Sequence, residues 1–430
     1  MHRLIRLIAG VAALLVNLSA AHSLELVIWH DKGDDGVKMF KEIGDLFQKQ
    51  NPTVTIRSLS FPTDQWFSRS IAAINTATGP DLIFNDNFRN AIIQQSTNKL
   101  HDFANDLKSL PEVTRKHVTP GDIEASLYKG KMVMLPTQRT LSAWGARKSW
   151  LEKVGEKMPV TWEDALRIAR KFQDNDPDGN GKNDTFGLAL QAGNASVLHQ
   201  MLEWMMFGAG LRHVAVDSNG AIVLDQPKNA RVLIEHLKLF TEYKLVSPET
   251  RNHIFTDMYQ IIEGGRAGFF RVGDFNVRKW DREGLKGDFV IGPLPTFFAD
   301  APPSVVVHGM RSVSVPVNGR NVDMAVKFAR FMLESKEAQE VSLLNMGSAV
   351  RKDLSTAGLS PSQVFFATTT LPAAPNDFPD SVYPWYPQFK EALYKELSGA
   401  IASPPKDWNV WIGEVSARLR TIVEDLKKKG

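Results

Sequence analysis

The chain contains no cysteine. No disulfide can staple the fold, so its stability has to come from a large apolar core, and no thiol is available for a lipid anchor. Neither sign of charge is in large excess: 51 Lys and Arg face 48 Asp and Glu, a formal net charge of +3. That near-balance gives no reason to expect nucleic acid or an anionic membrane as a main partner. Beyond the N-terminal segment no long apolar run occurs, so no membrane insertion is expected. Fixed-period repeats and low-complexity tracts are also missing. So are Gly-x-Ser-x-Gly, His-Glu-x-x-His, Gly-x-x-x-x-Gly-Lys and Gly-x-Gly-x-x-Gly, which lowers the expectation of an enzyme. The ten His residues show no metal-ligand spacing.

What is present begins with an export segment. Arg3 and Arg6 precede an apolar run from Leu7 to Leu18 and the small residues Ser19, Ala20 and Ala21. The run is shorter than the roughly 20 residues of a membrane span and reads as a signal peptide over residues 1–23, cut after Ala21 or Ser23. Loss of the two arginines brings the charge closer to zero. The expected product is a soluble, exported, monomeric protein of the periplasm that requires no cofactor.

The rest follows βαβ grammar. Leu24 to His30 is an apolar, β-rich run, and Val37, Phe40, Ile43, Leu46 and Phe47 then recur with helical period. Thr53 to Phe61 reads as a strand, Gln65 to Ala77 as a helix and Asp81 to Phe84 as a strand. The fold class is therefore α/β, with mostly parallel sheets flanked by helices. Open sheets of this kind bind ligands at the carboxyl ends of their strands, which singles out His30-Asp31 and Asn85-Asp86-Asn87.

A strand pair is expected from Tyr128 to Leu135, and Pro136 then marks a first crossing into a second lobe. Thr161-Trp162-Glu163-Asp164 is a capping-box opening for a helix through Phe172. Ala230 to Tyr243 is amphipathic, and Phe289 to Pro295 is a short strand before a return crossing. Val305 to Val317 reads as strand, Ala325 to Leu333 as helix. Tyr383 to Lys429 is mostly helical and expected to pack on the second lobe. The expected division is 24–136 with 296–350 for one lobe and 137–295 with 351–430 for the other.

One loop carries cation chemistry. Asp176, Asp178, Asn180 and Asp184 alternate around Gly179 and Gly181, and the Lys182 carbonyl lies where a backbone ligand is wanted. This is the front of a calcium loop without its closing bidentate Glu. A structural Ca2+ is one reading, and an Asx/Gly turn that needs no metal is the other.

The order of segments resembles the sugar-binding, maltodextrin-binding-protein-like group of extracellular solute-binding proteins of ABC importers. The resemblance is carried by LELVIWH, Gly79-Pro80-Asp81-Leu82-Ile83, Tyr128 to Pro136, ARKSWLEKVG with TWEDALRIARKF, DPDGNGKNDTFGL, GGRAGFF and Met346-Gly347-Ser348. It implies two α/β lobes joined by several chain crossings, a small carbohydrate-like solute between them, and importer transmembrane subunits as partners. Residue by residue, it implies a pocket with His30, Asp31, Asp86 and Asn87 from the first lobe and Gln138 and Arg139 at the hinge. Gln191, Asn194, Arg271, Asp274 and Phe275 would line a wall, Trp144, Trp204, Trp385 and Tyr386 would stack on sugar rings, and His308 would lie at the return crossing.

Two departures from the family pattern leave the ligand open. Thr137-Gln138-Arg139 follows Leu135-Pro136 where the family often has an aromatic residue, and Gly273-Asp274-Phe275 replaces a Gly-Pro-Trp-like turn. A neutral saccharide or polyol is expected, with a sugar acid or phosphorylated polyol clamped by Arg139 and Arg271 as the alternative. A secreted glycoside-active enzyme and a sensor subunit that reports ligand to a membrane kinase are the readings from other classes.

Overall fold

A computed structural model of the chain describes residues 23–369, 373–374 and 383–429. The export segment expected at the N-terminus lies outside them up to His22. β1 (Leu24–His30) turns Leu26, Ile28 and His30 to the buried side. It is flanked in parallel by β2 (Val54–Ser60) and β3 (Leu82–Asp86), and α1 (Gly33–Gln50) and α2 (Thr63–Asn75) make the connections. α1 buries Phe40, Ile43 and Phe47 of the expected stripe together with Met39, while Val37 is exposed and Leu46 only half-buried. α3 (Asn87–Thr97) and the short helices α4 (Ala104–Lys108), α5 (Glu112–Arg115) and α6 (Pro120–Glu124) lead into β4 (Leu135–Ala146).

The chain then builds α7 (Lys148–Lys153), α8 (Trp162–Asp174), β5 (Phe186–Ala189), α9 (Ala195–Gly208), α10 (Pro227–Thr241), α11 (Phe255–Glu263), β6 (Ala267–Gly273), α12 (Asp274–Lys279) and β7 (Val290–Gly292). It returns along β8 (Val305–Ser314) to α13 (Val322–Glu334) and α14 (Lys336–Met346). α15 (Pro361–Thr368), β9 (Ala373–Ala374), α16 (Tyr386–Ala402) and α17 (Trp408–Lys429) follow.

The strands run in the order β2-β1-β3-β8-β4-β6-β5, with β7 on β4 and β9 on β8. The outer pairs β1·β2, β1·β3 and β5·β6 are parallel as expected. Antiparallel pairing enters through β4 and β8, which run against each other and also pair β6, β7 and β3. These two long strands therefore join the halves of the molecule. Register shifts between Pro136 and Gln138 and between Thr140 and Leu141 break the β4·β8 ladder, and such irregularities bend a strand and re-aim its side chains.

Two large cores lie on either side of this pair. One gathers Leu26, Phe40, Phe47, Phe84, Leu135, Met310, Phe328 and Val350. The other gathers Ala143, Trp144, Trp162, Phe172, Trp204, Phe269 and Val306, and α16 and α17 join it through Phe389, Leu393, Val415 and Leu419. Phe297, Val305 and Val306 also pack in this second core, so the return crossing falls within β8, beyond the short strand that was expected to make it. The pair expected from Tyr128 to Leu135 reduces to one bridge, Tyr128 with Lys131, around Lys129 (φ 49°) and Gly130 (φ 76°). A tight turn of that hand suits a hairpin, but Val133 and Met134 bury into a small cluster with Trp66 and Ile83 instead of extending the ladder.

The expected cap of α8 is present: Thr161 Oγ1 accepts the Asp164 N–H at 3.1 Å. Thr161→Ala should cost about 1 kcal/mol in the urea unfolding free energy. An unchanged midpoint would show that the cap contributes nothing.

Candidate functional site

Between the two cores lies a cavity of about 560 Å³. Its floor is the hinge pair: Arg139 and Leu141 of β4 and Val305, Val307 and Gly309 of β8 reach it, alternate residues on each strand. The first half of the molecule contributes Asn87, Phe88, Thr119 and Asp122, and the second half Arg212, His213, Asp217, Ser218 and Tyr383. Residues after α14, Gly347 to Lys352, complete the wall. This is a cleft bounded by both lobes across the strands that connect them.

The charges nearest the floor are committed to each other. Arg139 Nε donates to Asp122 Oδ1 at 2.6 Å and Arg139 Nη2 to Asp122 Oδ2. The same guanidinium donates to the Val350 and His117 carbonyls, both at 2.9 Å. Asp122 in turn accepts from the Thr119 N–H and hydroxyl at 2.7 and 2.8 Å. Arg351 is held in the same way, by both oxygens of Asp353 and the Glu334 carbonyl.

Asp274, at the start of α12, sits in the wall with its Oδ2 accepting the Leu141 N–H at 3.0 Å. Burial pushes its carboxyl up to about 7, against the opposing pull of Arg311, the Leu141 and Phe275 amides and the Ser348 hydroxyl. Gly347 has a φ of +71°, and a Cβ there would stand 2.5 Å from the Asp274 carbonyl oxygen. The glycine is thus what lets the first lobe pass this close. Asn87 also faces the cleft, and its amide donates to the Ala125 carbonyl at 2.5 Å.

The other side chains expected in the pocket do not line the cavity. His30 is buried against Phe40, with Nδ1 accepting the Lys32 N–H at 3.1 Å; burial lowers its pKa to about 4. Burial pushes the Asp31 carboxyl up, but Lys32 at 2.8 Å and Arg89 at 2.7 Å outweigh it and hold the group low. Asp86 is drawn into the same cluster by Lys32, Arg89 and Arg311. These loops do sit at the carboxyl ends of β1 and β3, but their own cations close them. Gln138 is buried, donating to Ser342 Oγ at 2.7 Å and accepting from Arg311 at 3.2 Å.

The tryptophans are structural. Trp144 stacks on Trp204 at 5.1 Å and 7° and meets Trp162 edge-on, all three in the second core. Gln191 is fully buried, and Asn194 is spent capping α9 through the Val197 N–H at 3.1 Å. Arg271 is buried with its guanidinium over Phe255, and Phe275 lies against Arg311. Trp385 stands one layer back, stacked on Tyr383, which does face the cavity. Tyr386 contacts His199 at 2.8 Å in the core. The His308 backbone lies in β8, and its side chain is outside the described residues. Of the residues named in advance, the cleft therefore brings together Asn87, Arg139 and Asp274.

Residues 33–339 match the family model for bacterial extracellular solute-binding proteins. The chain belongs to that family. It is 33% identical over 104 residues to a polygalacturonan/rhamnogalacturonan-binding protein of Bacillus subtilis, covering 24% of this chain and 19% of that one. A fructooligosaccharide ABC transporter substrate-binding protein of Streptococcus pneumoniae is 27% identical over 148 residues, 34% of this chain and 26% of that one. The match thus spans between about a fifth and a quarter of these relatives' own lengths. Among solved structures, a solute-binding protein of Thermotoga lettingae bound with α-D-tagatose superposes with a TM-score of 0.71 at 20% identity, covering 93% of this chain and 100% of that one. Maltose-bound MalE3 of T. maritima gives 0.69 at 18% identity, with 93% and 100% covered. These neighbours share the two-lobed fold.

The acidic loop of this solute-binding protein folds on itself. Asp176 accepts the Asn180 and Gly181 N–H groups at 3.1 and 3.0 Å, and Asn180 Nδ2 donates to Asp178 at 2.8 Å and Asp184 at 3.1 Å. Burial and the neighbouring Asp176 raise the Asp178 carboxyl, while hydrogen bonds from Asp178 and the Gly181 amide lower that of Asp176. Among the described residues no group of three or more His, Asp or Glu is arranged to hold a metal ion. Asp178 and Asp184 share the side-chain amide of Asn180, while Asp176 is taken up by the backbone N–H groups of Asn180 and Gly181.

Several cleft residues escaped the sequence reading. Thr119 and Asp122 form a capping box on α6, and the Thr-Pro-Gly-Asp spelling of that box is legible in the sequence. Tyr383, Arg212 and His213 carry no comparable signal, because only the packing of the second lobe turns them to the cleft.

Proposed function

We propose that this solute-binding protein captures a neutral saccharide or polyol between its lobes, closes about the β4·β8 hinge, and presents the guest to the membrane subunits of an ABC importer. The observation that carries the reading is the pairing of the two arginines beside the hinge floor. Arg139 and Arg351 spend their guanidiniums on Asp122 and Asp353, so neither is poised to clamp a carboxylate or phosphate, and Arg271 does not line the cavity. Relatives whose names specify fructooligosaccharide, tagatose, maltose and ribitol support the carbohydrate class.

No catalysis is proposed. A glycosidase needs one carboxyl as acid and another as base or nucleophile across the scissile bond. Here Asp274 carries a raised carboxyl in the wall, but the other two carboxyls lining the cavity are engaged: Asp122 is paired with Arg139, and Asp217 accepts the Asn219 and Ala221 N–H groups of its own turn. A periplasmic site follows from the arginines and apolar run at the N-terminus. Among the described residues no helix is long and apolar enough to cross a membrane.

A thermal-shift screen of sugars, polyols, sugar acids and sugar phosphates tests the reading, since a guest that binds only the folded form raises the melting temperature. Hits among neutral compounds are expected. Hits confined to anionic ones, or turnover of any hit, would overturn it.

We also propose that the acidic loop takes a structural Ca2+, held by Asp176, Asp178, Asn180, Asp184 and the Lys182 carbonyl. Relief of the Asp176–Asp178 repulsion supports this. Calcium in millimolar excess should raise the melting temperature relative to EGTA, and Asp178→Asn should abolish the difference. Equal melting temperatures would refute it.

A further inference from the structure

The floor of the cleft is chemically unlike a surface built for bare sugar. None of the ten tryptophans lines the cavity. Among the described residues its phenyl and phenol side chains are Phe88, Phe366 and Tyr383, and Phe366 is only 5% exposed. Tyr383 lies stacked on Trp385, and its hydroxyl donates to the Ser218 carbonyl at 2.6 Å. Broad platforms for the C–H face of a pyranose are therefore scarce. In their place Leu141 and Val307, direct partners across the β4·β8 ladder, both present half-buried aliphatic side chains to the cavity.

Beside that pair the nearest cation is largely committed. The donors of Arg139 go to Asp122 and two carbonyls. A hydroxyl laid on the aliphatic faces of Leu141 and Val307 would surrender its water for little in return, which costs free energy, whereas an apolar group there gains by leaving water. Hydroxyl partners remain where the cavity meets solvent, at the exposed side chains of Ser218, Thr356 and Thr368. Asp274 adds one more at the floor's edge, because only its Oδ2 is engaged by Leu141. A volume of about 560 Å³ suits a guest of drug-like size.

We infer that the guest is a saccharide bearing an apolar substituent, such as an aryl or alkyl glycoside, with the substituent seated on Leu141 and Val307 and the hydroxyls turned to the rim. This rests on the saccharide reading above and narrows it.

The test is calorimetric titration of the full chain with matched methyl and p-nitrophenyl glycosides of glucose, galactose, xylose, maltose and cellobiose, together with the free sugars. The p-nitrophenyl member of the preferred pair should bind at least tenfold more tightly than its methyl partner and with a more negative heat-capacity change. Val307→Thr, nearly isosteric, should cut that p-nitrophenyl-over-methyl advantage to below threefold, and Leu141→Asn should do the same; an advantage kept at tenfold in both variants would overturn the inference. Equal affinities within a pair, or tighter binding of the free sugar, would overturn the inference and leave the saccharide reading standing. Failure of every compound to bind would overturn both.

Discussion

Replacing Arg139 with alanine is expected to lower the unfolding free energy by about 3–5 kcal/mol, the cost of leaving a buried carboxylate without its cation. The side chains of Arg139 and Asp122 are only 11% and 5% exposed, so water cannot take over the lost contacts. The guanidinium also anchors the His117 and Val350 carbonyls, which come from segments far apart in the chain. Arg139→Lys should recover little, because an ammonium cannot serve both carboxylate oxygens and two carbonyls in one plane. Combining Arg139→Ala with Asp122→Ala should restore part of the loss, since the stranded charge is removed as well. Urea unfolding of the wild type, Arg139→Ala, Arg139→Lys, Asp122→Ala and the double variant measures this. A loss below 1 kcal/mol for Arg139→Ala, or strict additivity of the pair, would show that the ion pair is incidental.

Asp274 gives a second large effect, and a pH-dependent one. Its folded-state value is raised from 3.8 to about 7, so the folded protein binds a proton that the unfolded chain releases between those values. Stability is therefore full below pH 4, falls as pH rises through this range, and is lowest above 7. Asp274→Asn keeps an oxygen for the Leu141 N–H and removes the titration. At pH 8 the variant should exceed the wild type by up to about 4 kcal/mol, and the gap should close towards pH 4. A constant gap across that range would mean that the carboxyl titrates normally.

The sequence patterns were most informative where a single element decides the outcome. The stripe of α1, the Thr161 cap, the parallel pairing of β1 with β2 and β3, and the docking of the final helices all follow from period and composition. Patterns fail where partners come from afar. Lys32, Arg89 and Arg311 neutralise the loops after β1 and β3, and Arg311 lies hundreds of residues from either loop. The resemblance puts Trp204 among the sugar-stacking residues, yet α9, which carries it, has Glu203 as its one charged residue and is buried on nearly every side. A helix apolar all round belongs in a core. The floor pair Leu141 and Val307 could not be found from sequence, because its register passes through an irregularity between Thr140 and Leu141.

Small-angle X-ray scattering of the mature protein, with and without a saturating saccharide found in the screen, tests the central claim most directly. If the lobes swing about β4 and β8 to enclose the guest, the radius of gyration falls on binding and the scattering curve sharpens towards a more compact particle. An unchanged curve at full occupancy would mean that the guest sits elsewhere or that the hinge does not move, and either result contradicts the account.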